Sequence, residues 1–181
     1  MSAKFDPKIH HRLSIRLPEY DYTSAGAYFL SIVIWQRHYL FGDVVDNSMI
    51  LNNFGKIVDE EWERTSAVRP NIELGAHIVM PNHFHGILVI LDLVGASRRL
   101  APTDTISPKP GSLGAIIAQF KSIVTKRIWK LDDKMKNTPI WQRNYYERII
   151  RNEHEMDAIW RYIESNPINW NQDEENINQT R

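Results

Sequence analysis

His83 and His85 stand one residue apart in the stretch HIVMPNHFHGILVI, residues 77–90. Along a β-strand residues i and i+2 share a face, so the two imidazoles project side by side while Phe84 turns the other way into a core. Such a pair can hold a divalent ion, and its place beside a tight turn puts it near the sheet edge, within reach of substrate. Two half-exposed histidines on the polar face of a sheet fit the same pattern, because two ligands do not complete a metal site.

A third ligand and a reactive group come from EHEMDAIWRYIESNP, where Tyr162 and Asn166 are four residues apart and so share one face of a helix. An amide oxygen is a neutral, hard ligand that suits Mg²⁺ or Mn²⁺ better than zinc. A tyrosine one helical turn from such an ion can attack a phosphodiester and become covalently attached, with a free hydroxyl as leaving group. The structural alternative has Tyr162 packed at the edge of the apolar face of Met156, Ile159, Trp160 and Ile163.

The elements that must position these groups are legible as patterns. GAYFLSIVIWQR, residues 26–37, reads as a central strand, and SMILNN as a short strand leading into a helix over roughly 53 to 65 with Phe54, Ile57, Val58 and Trp62 on one face. IELGAHIVM and HFHGILVIL make an antiparallel pair around the Pro-Asn turn. Residues 92–111 hold three prolines and two glycines and form a long irregular loop. Ser112 caps a helix with a stripe of Leu113, Ile116, Ile117, Phe120, Val124 and Ile128, and Gln119, Ser122, Lys126 and Lys130 on another face. IWQRNYYERII contains a further strand. A last helix runs from about Glu153 to Ser165 and stops at Asn166-Pro167, since the residue before proline disfavours helical geometry. Residues 171–181 read as a flexible end with no assigned role.

The chain of 181 residues supports one core and therefore one domain. No stretch approaches the roughly 20 apolar residues of a membrane span, and the N-terminal stretch lacks the apolar segment of a secretory signal, so a soluble cytoplasmic protein is expected. Absence of cysteine excludes disulfides, thiolate metal sites and cysteine nucleophiles. The zero net charge hides an uneven distribution: residues 98–151 hold twelve Lys or Arg against four acids. That basic segment, interleaved with Phe120, Trp129, Trp141, Tyr145 and Tyr146, can follow a phosphate backbone and stack bases, or can be a solvated surface.

Taken together, YDYTSAGAYFLSI, MPNHFHGILV, WQRNYYERII and YIESNP, in that order, resemble the REP-associated tyrosine transposases, single-tyrosine members of the HUH endonuclease superfamily with an IS200-like transposase domain. The resemblance spans roughly residues 15 to 170. It implies a ferredoxin-like α+β domain with an antiparallel central sheet, His83 and His85 as metal ligands, Tyr162 as nucleophile and Asn166 completing the metal site, where related transposases commonly have glutamine. Tyr145 and Tyr146 have no amide four residues on, which favours Tyr162. The implied reaction is Mg²⁺- or Mn²⁺-dependent cleavage of single-stranded DNA at or near a hairpin through a 5′-phosphotyrosine, with strand transfer by the reverse step. Arg98, Arg99, Lys121, Lys126 and Arg127 are the candidates for holding the DNA backbone. Two arrangements stay open, a monomer or a homodimer: related transposases complete the site with a partner's last helix as dimers, while the REP-associated group is expected to act as monomers. Two other readings remain: a hairpin DNA- or RNA-binding regulator that keeps the fold without cutting, and a metal-dependent hydrolase of small phosphoesters. The basic segment and long loop fit the hydrolase poorly.

Overall fold

The computed structural model describes residues 25–92 and 111–177. Four strands form one antiparallel sheet: β1 (Gly26–Val33), β4 (Ile72–Val79), β5 (His83–Ile90) and β6 (Tyr146–Ile150), in the order β4-β5-β1-β6. A separate hairpin, β2 (Gly42–Val45) and β3 (Ser48–Leu51), precedes helix α1 (Asn53–Ala67). Helix α2 (Leu113–Leu131) links β5 to β6, and α3 (Glu153–Ser165) follows β6. Leaving the hairpin aside, β1-α1-β4-β5-α2-β6 is the ferredoxin-like order, which confirms the α+β expectation.

Alternation along the strands divides the interior in two. Tyr28, Leu30 and Ile32 of β1 and Phe84 and Leu88 of β5 face α1 and α2, where Trp62, Ile117, Phe120 and Val124 complete the larger core. Phe29, Ile87 and Ile150 face the other way and meet Ile163, Met156 and Ile159 of α3. Phe84 therefore packs against Trp62, ring centroids 4.7 Å apart, while its neighbours on either side are released to the α3 face. Gly86 permits that contact, since a Cβ there would stand 2.8 Å from the rings of both Phe84 and Trp62.

Helix boundaries follow local chemistry. Asn52, Ser112 and Asn152 each accept a backbone N–H of the first turn of α1, α2 and α3. The strand read over 26–37 ends at Val33, because Gln36 and Arg37 take positive φ values of 56° and 57° in a single helical turn. Only Tyr146–Ile150 of the IWQRNYYERII stretch is a strand, with Trp141 joined by an isolated bridge to Ile34, just past the end of β1. The hairpin partner of β3, Gly42–Val45, carries no strong sequence signal; its turn at Asp46-Asn47 has positive φ at both residues, as a two-residue hairpin requires. Asn166 is a departure from expectation. The helix does end at Ser165, yet Asn166 keeps helical angles of φ −58° and ψ −43° before Pro167, which holds its side chain in phase with Tyr162.

Candidate metal centre and active site

β5 is an inner strand, and the histidines near its start are not at an exposed edge: His83 and His85 are 0% and 3% exposed. Register places His85 opposite Ser31 of β1 and Ile78 of β4, on the face that α3 covers. The two imidazole centroids are 4.5 Å apart. The cover is the stretch after α3, with Trp170 stacked near His83 at 5.9 Å.

Asn82, fully buried, fixes the first histidine. Its side-chain oxygen pairs with His83 Nδ1 at 2.9 Å, which leaves Nε2 as the lone-pair nitrogen. Its amide nitrogen donates to the backbone carbonyls of Arg37 at 3.2 Å and Glu175 at 2.6 Å. One side chain thus ties the strand turn, the stretch after β1 and the C-terminal segment to the orientation of His83, the kind of support that ligand histidines need.

Asp173 is the residue that sequence reasoning missed. His83, His85 and Asp173 each present one ligand atom, all within 4.8 Å of one another. Asp173 Oδ2 also accepts from Asn166 Nδ2 at 3.2 Å. The expectation of a flexible end from residue 171 fails over 171–177. Arg37 pairs with Glu175, Tyr39 hydrogen-bonds Asn176, and Asn176 Nδ2 donates to the Trp170 carbonyl at 2.9 Å, so these contacts hold the segment against the sheet. Sequence polarity gave no hint of this, because Arg37 and Tyr39 lie far away in the chain.

Tyr162 is 46% exposed, with its ring edge-on to Phe29 at 6.0 Å and its hydroxyl 3.2 Å from His85 Nε2. The helix's apolar side is supplied instead by Met156, Ile159 and Ile163, while Trp160 turns outward and donates to Glu164. Nucleophile candidate and histidine pair therefore meet within one chain. A cleft of about 630 Å³ opens over them, lined among others by Ser31, Tyr146, Asn169 and the carboxylates of Asp173, Glu174 and Glu175.

Electrostatics fit a cation in this cluster. Burial pushes the His83 imidazole down to about 4, against a smaller upward pull from Asn166. Burial and then the neighbouring His83 hold His85 well below the ordinary histidine range, with Asp173 and the Leu30 carbonyl opposing. Both rings are neutral, the state in which imidazole binds metal. His83 Nε2 and Asn166 Oδ1 are buried without a hydrogen-bond partner, an arrangement that costs stability unless a cation or water satisfies it. Burial, then Asp173, raises the Tyr162 phenol above its ordinary value, with smaller upward contributions from Glu175 and Glu174 and an opposing one from Asn166. A cation among these groups would offset the carboxylates that keep the phenol protonated.

The proposed DNA contacts separate. Arg98 and Arg99, with most of the loop read over 92–111, lie outside the described residues, as does the YDYT start of the first motif. Arg127 is committed to Glu60 at 2.6 Å and Glu61 at 2.7 Å on α1. Lys121 is turned inward and donates to the Gln142 carbonyl at 2.5 Å, and burial lowers it to about 8. Lys126 is exposed and lines a groove with Arg143, Trp129 and Tyr145. Phe120 and Trp141 are core residues with ring centroids 6.1 Å apart, and Trp141 also shows an edge at this groove.

No family model matches the chain. A protein of Haemophilus influenzae described only as uncharacterized is 39% identical over 183 residues, covering 96% of this chain and 98% of that one. The two belong to one family. Among solved structures, a REP-associated tyrosine transposase bound to a REP hairpin superposes with a TM-score of 0.57 at 18% identity, over 86% of this chain and 74% of that one. The chain has the REP-associated tyrosine transposase fold. Within that transposase fold, the His83–His85–Asp173 cluster is a site suited to a divalent metal. Among the described residues no helix is long and apolar enough to cross a membrane.

Proposed function

We propose that this protein is a metal-dependent single-stranded DNA endonuclease and strand transferase that acts at or near hairpins through Tyr162. The observation that carries the reading is the Tyr162 hydroxyl 3.2 Å from His85 Nε2, in an open cleft that also contains Asp173. His83, His85 and Asp173, with the Asn166 amide oxygen, would hold Mg²⁺ or Mn²⁺. When bound, the ion supplies Lewis-acid polarisation of the scissile phosphate and counter-charge for the phenolate.

The chain's own residues supply the rest. Asn82 fixes the ring of His83, and α3 brings Tyr162 and Asn166 to the same side of the cleft. The Tyr162 oxygen attacks phosphorus, its proton passing to solvent at the cleft mouth. The bond from phosphorus to the 3′-oxygen breaks, and that oxygen takes a proton to leave as a 3′-hydroxyl. The product is a 5′-phosphotyrosine whose ester bond can be attacked by a 3′-hydroxyl in the reverse sense, so joining needs no nucleotide cofactor. The groups meet within one chain, which supports the arrangement in which the last helix completes its own site.

Incubation with hairpin-bearing single-stranded DNA and Mn²⁺ or Mg²⁺ should give a protein–DNA adduct that survives denaturation and is absent in Tyr162→Phe. An adduct that persists in Tyr162→Phe would move the assignment to another tyrosine. Tight hairpin binding with no adduct under either metal would leave the non-cleaving regulator as the better description.

A further inference from the structure

Lys121 differs from the other lysines of α2. Lys126 and Lys130 are exposed, whereas Lys121 turns inward and its Nζ donates to three consecutive carbonyls, those of Gln142 at 2.5 Å and of Arg143 and Asn144 at 3.4 Å. The side chain thereby fastens residues 142–144 to the helix. Those residues lead into β6, whose first residue, Tyr146, lines the cleft of Tyr162. Burial lowers the Lys121 ammonium to about 8, which raises its neutral fraction near pH 7 on the order of a hundredfold above that of an ordinary lysine. A neutral amine is a nucleophile, and desolvation is a recurrent way of activating lysine. It keeps two N–H groups for the carbonyls while its lone pair is free to react.

Space for a reagent lies beside this amine. A concavity of about 600 Å³ between α2 and residues 138–145 is lined by Lys121 together with Lys126, Arg143 and Tyr145. Ligand pockets fall in the range of roughly 300–1,000 Å³. Among the described residues no carboxylate lines the concavity, so no counter-charge there favours the ammonium. Lys126 and Arg143 instead match a phosphoryl group, which would bring a phosphorylated electrophile to Lys121.

We propose that Lys121 is a site of covalent acylation by small acyl phosphates, and that acylation unfastens residues 142–144 from α2. The amine nitrogen attacks the acyl carbon and the bond from that carbon to the phosphate oxygen breaks. Inorganic phosphate leaves beside Lys126 and Arg143, and one amine proton passes to solvent. The resulting amide has no charge and a single N–H, so at most one of the three carbonyls keeps its donor. The loosened segment carries Tyr145 of the groove and adjoins Tyr146 of the cleft, so one modification alters both cavities.

In the test, the full chain without metal or DNA is treated with limiting acetyl phosphate near neutral pH, and acetylation of each lysine is followed by peptide mass spectrometry. Lys121 should react about fivefold or more faster than Lys130, an exposed lysine of the same helix. Lys126→Gln with Arg143→Gln should slow Lys121 about fivefold or more with acetyl phosphate, but less than about twofold with acetic anhydride, which carries no phosphate. Hydrogen exchange reads the release: the amides of 142–146, which include the Gln142 N–H bonded to the Val33 carbonyl, should exchange about tenfold faster in acetylated wild type and in Lys121→Gln. Lys121→Arg should stay near the wild type, and the amides of α3 should not change. Acetylation of Lys121 no faster than of Lys130, equal slowing with both reagents in the double variant, or acetylation without faster exchange at 142–146 would overturn the proposal. Neither readout involves attack by Tyr162, so each outcome leaves the endonuclease reading to its own experiment.

Discussion

The cleft at Tyr162 and the groove at Lys126 share an edge strand and differ in sign. The cleft is lined by Asp173, Glu174 and Glu175 around a neutral histidine; among the described residues the groove has three cations and no acid. A polyanion is attracted to the second and repelled by the first unless a metal ion reverses the local charge. On the proposed reading, binding and chemistry are separated in space, and each should be removable without the other. The neutral net charge of the whole chain conceals this division.

The sharpest way to break the comparison is at the nucleophile. Tyr162→Phe should lower adduct formation at least about a thousandfold, because no other group takes over the attack. Anisotropy on the same variant should find hairpin affinity unchanged within about twofold, as the groove is untouched; a large loss of affinity would mean that the cleft, not the groove, holds the DNA.

Acid should act on the cleft alone. His83 has a folded value of about 4 against an ordinary 6.5, so as pH falls the unfolded chain takes up the proton first. In metal-free protein, stability should be level above about pH 6.5 and fall towards pH 4, by about 3 kcal/mol from His83 alone. His85, shifted in the same direction, adds to that loss. Urea titrations across this window are the measurement, and His83→Gln should flatten the slope; a wild-type slope in that variant would contradict the buried neutral pair.

Removing the support for His83 sharpens the comparison further. Asn82→Ala deletes the bond to His83 Nδ1 and both ties to the carbonyls of Arg37 and Glu175. Mn²⁺ affinity by calorimetry should drop by about 10- to 100-fold. The smallest expected effect belongs to the groove. Lys126→Gln should reduce the slope of log affinity against log salt by about one and weaken binding of a hairpin with a single-stranded extension a fewfold at moderate salt, with the adduct rate at saturating DNA unchanged.

Legibility in the sequence tracked the range of the interaction. The helix caps at Ser112 and the antiparallel pair around Pro81-Asn82 were readable because they depend on residues within a few positions. Tyr162 and Asn166 were readable as one helix face for the same reason, and the histidine pair from strand alternation. The β2 strand was not readable, because its four residues follow no clear alternation. Lys121 and Arg127 were alike as candidates for holding the DNA backbone, and only packing against residues 142–144 and against α1 showed that both are engaged within the protein.

By itself, then, the sequence determined every helix and every strand of the main sheet, the two histidines on one face, the tyrosine with its amide one turn later, and a basic segment rich in aromatics. Tertiary structure alone decided that the pair lies on an inner strand under the C-terminal segment, that Asp173 joins it, and that Tyr145 and Tyr146 face different cavities. The physical reason is that periodicity reports which side of its own element a residue occupies, whereas a metal cluster is a meeting of elements. Asp173 reaches His83 because Arg37, Tyr39 and Asn82, remote in the chain, hold the segment that carries it, together with the local bond from Asn166.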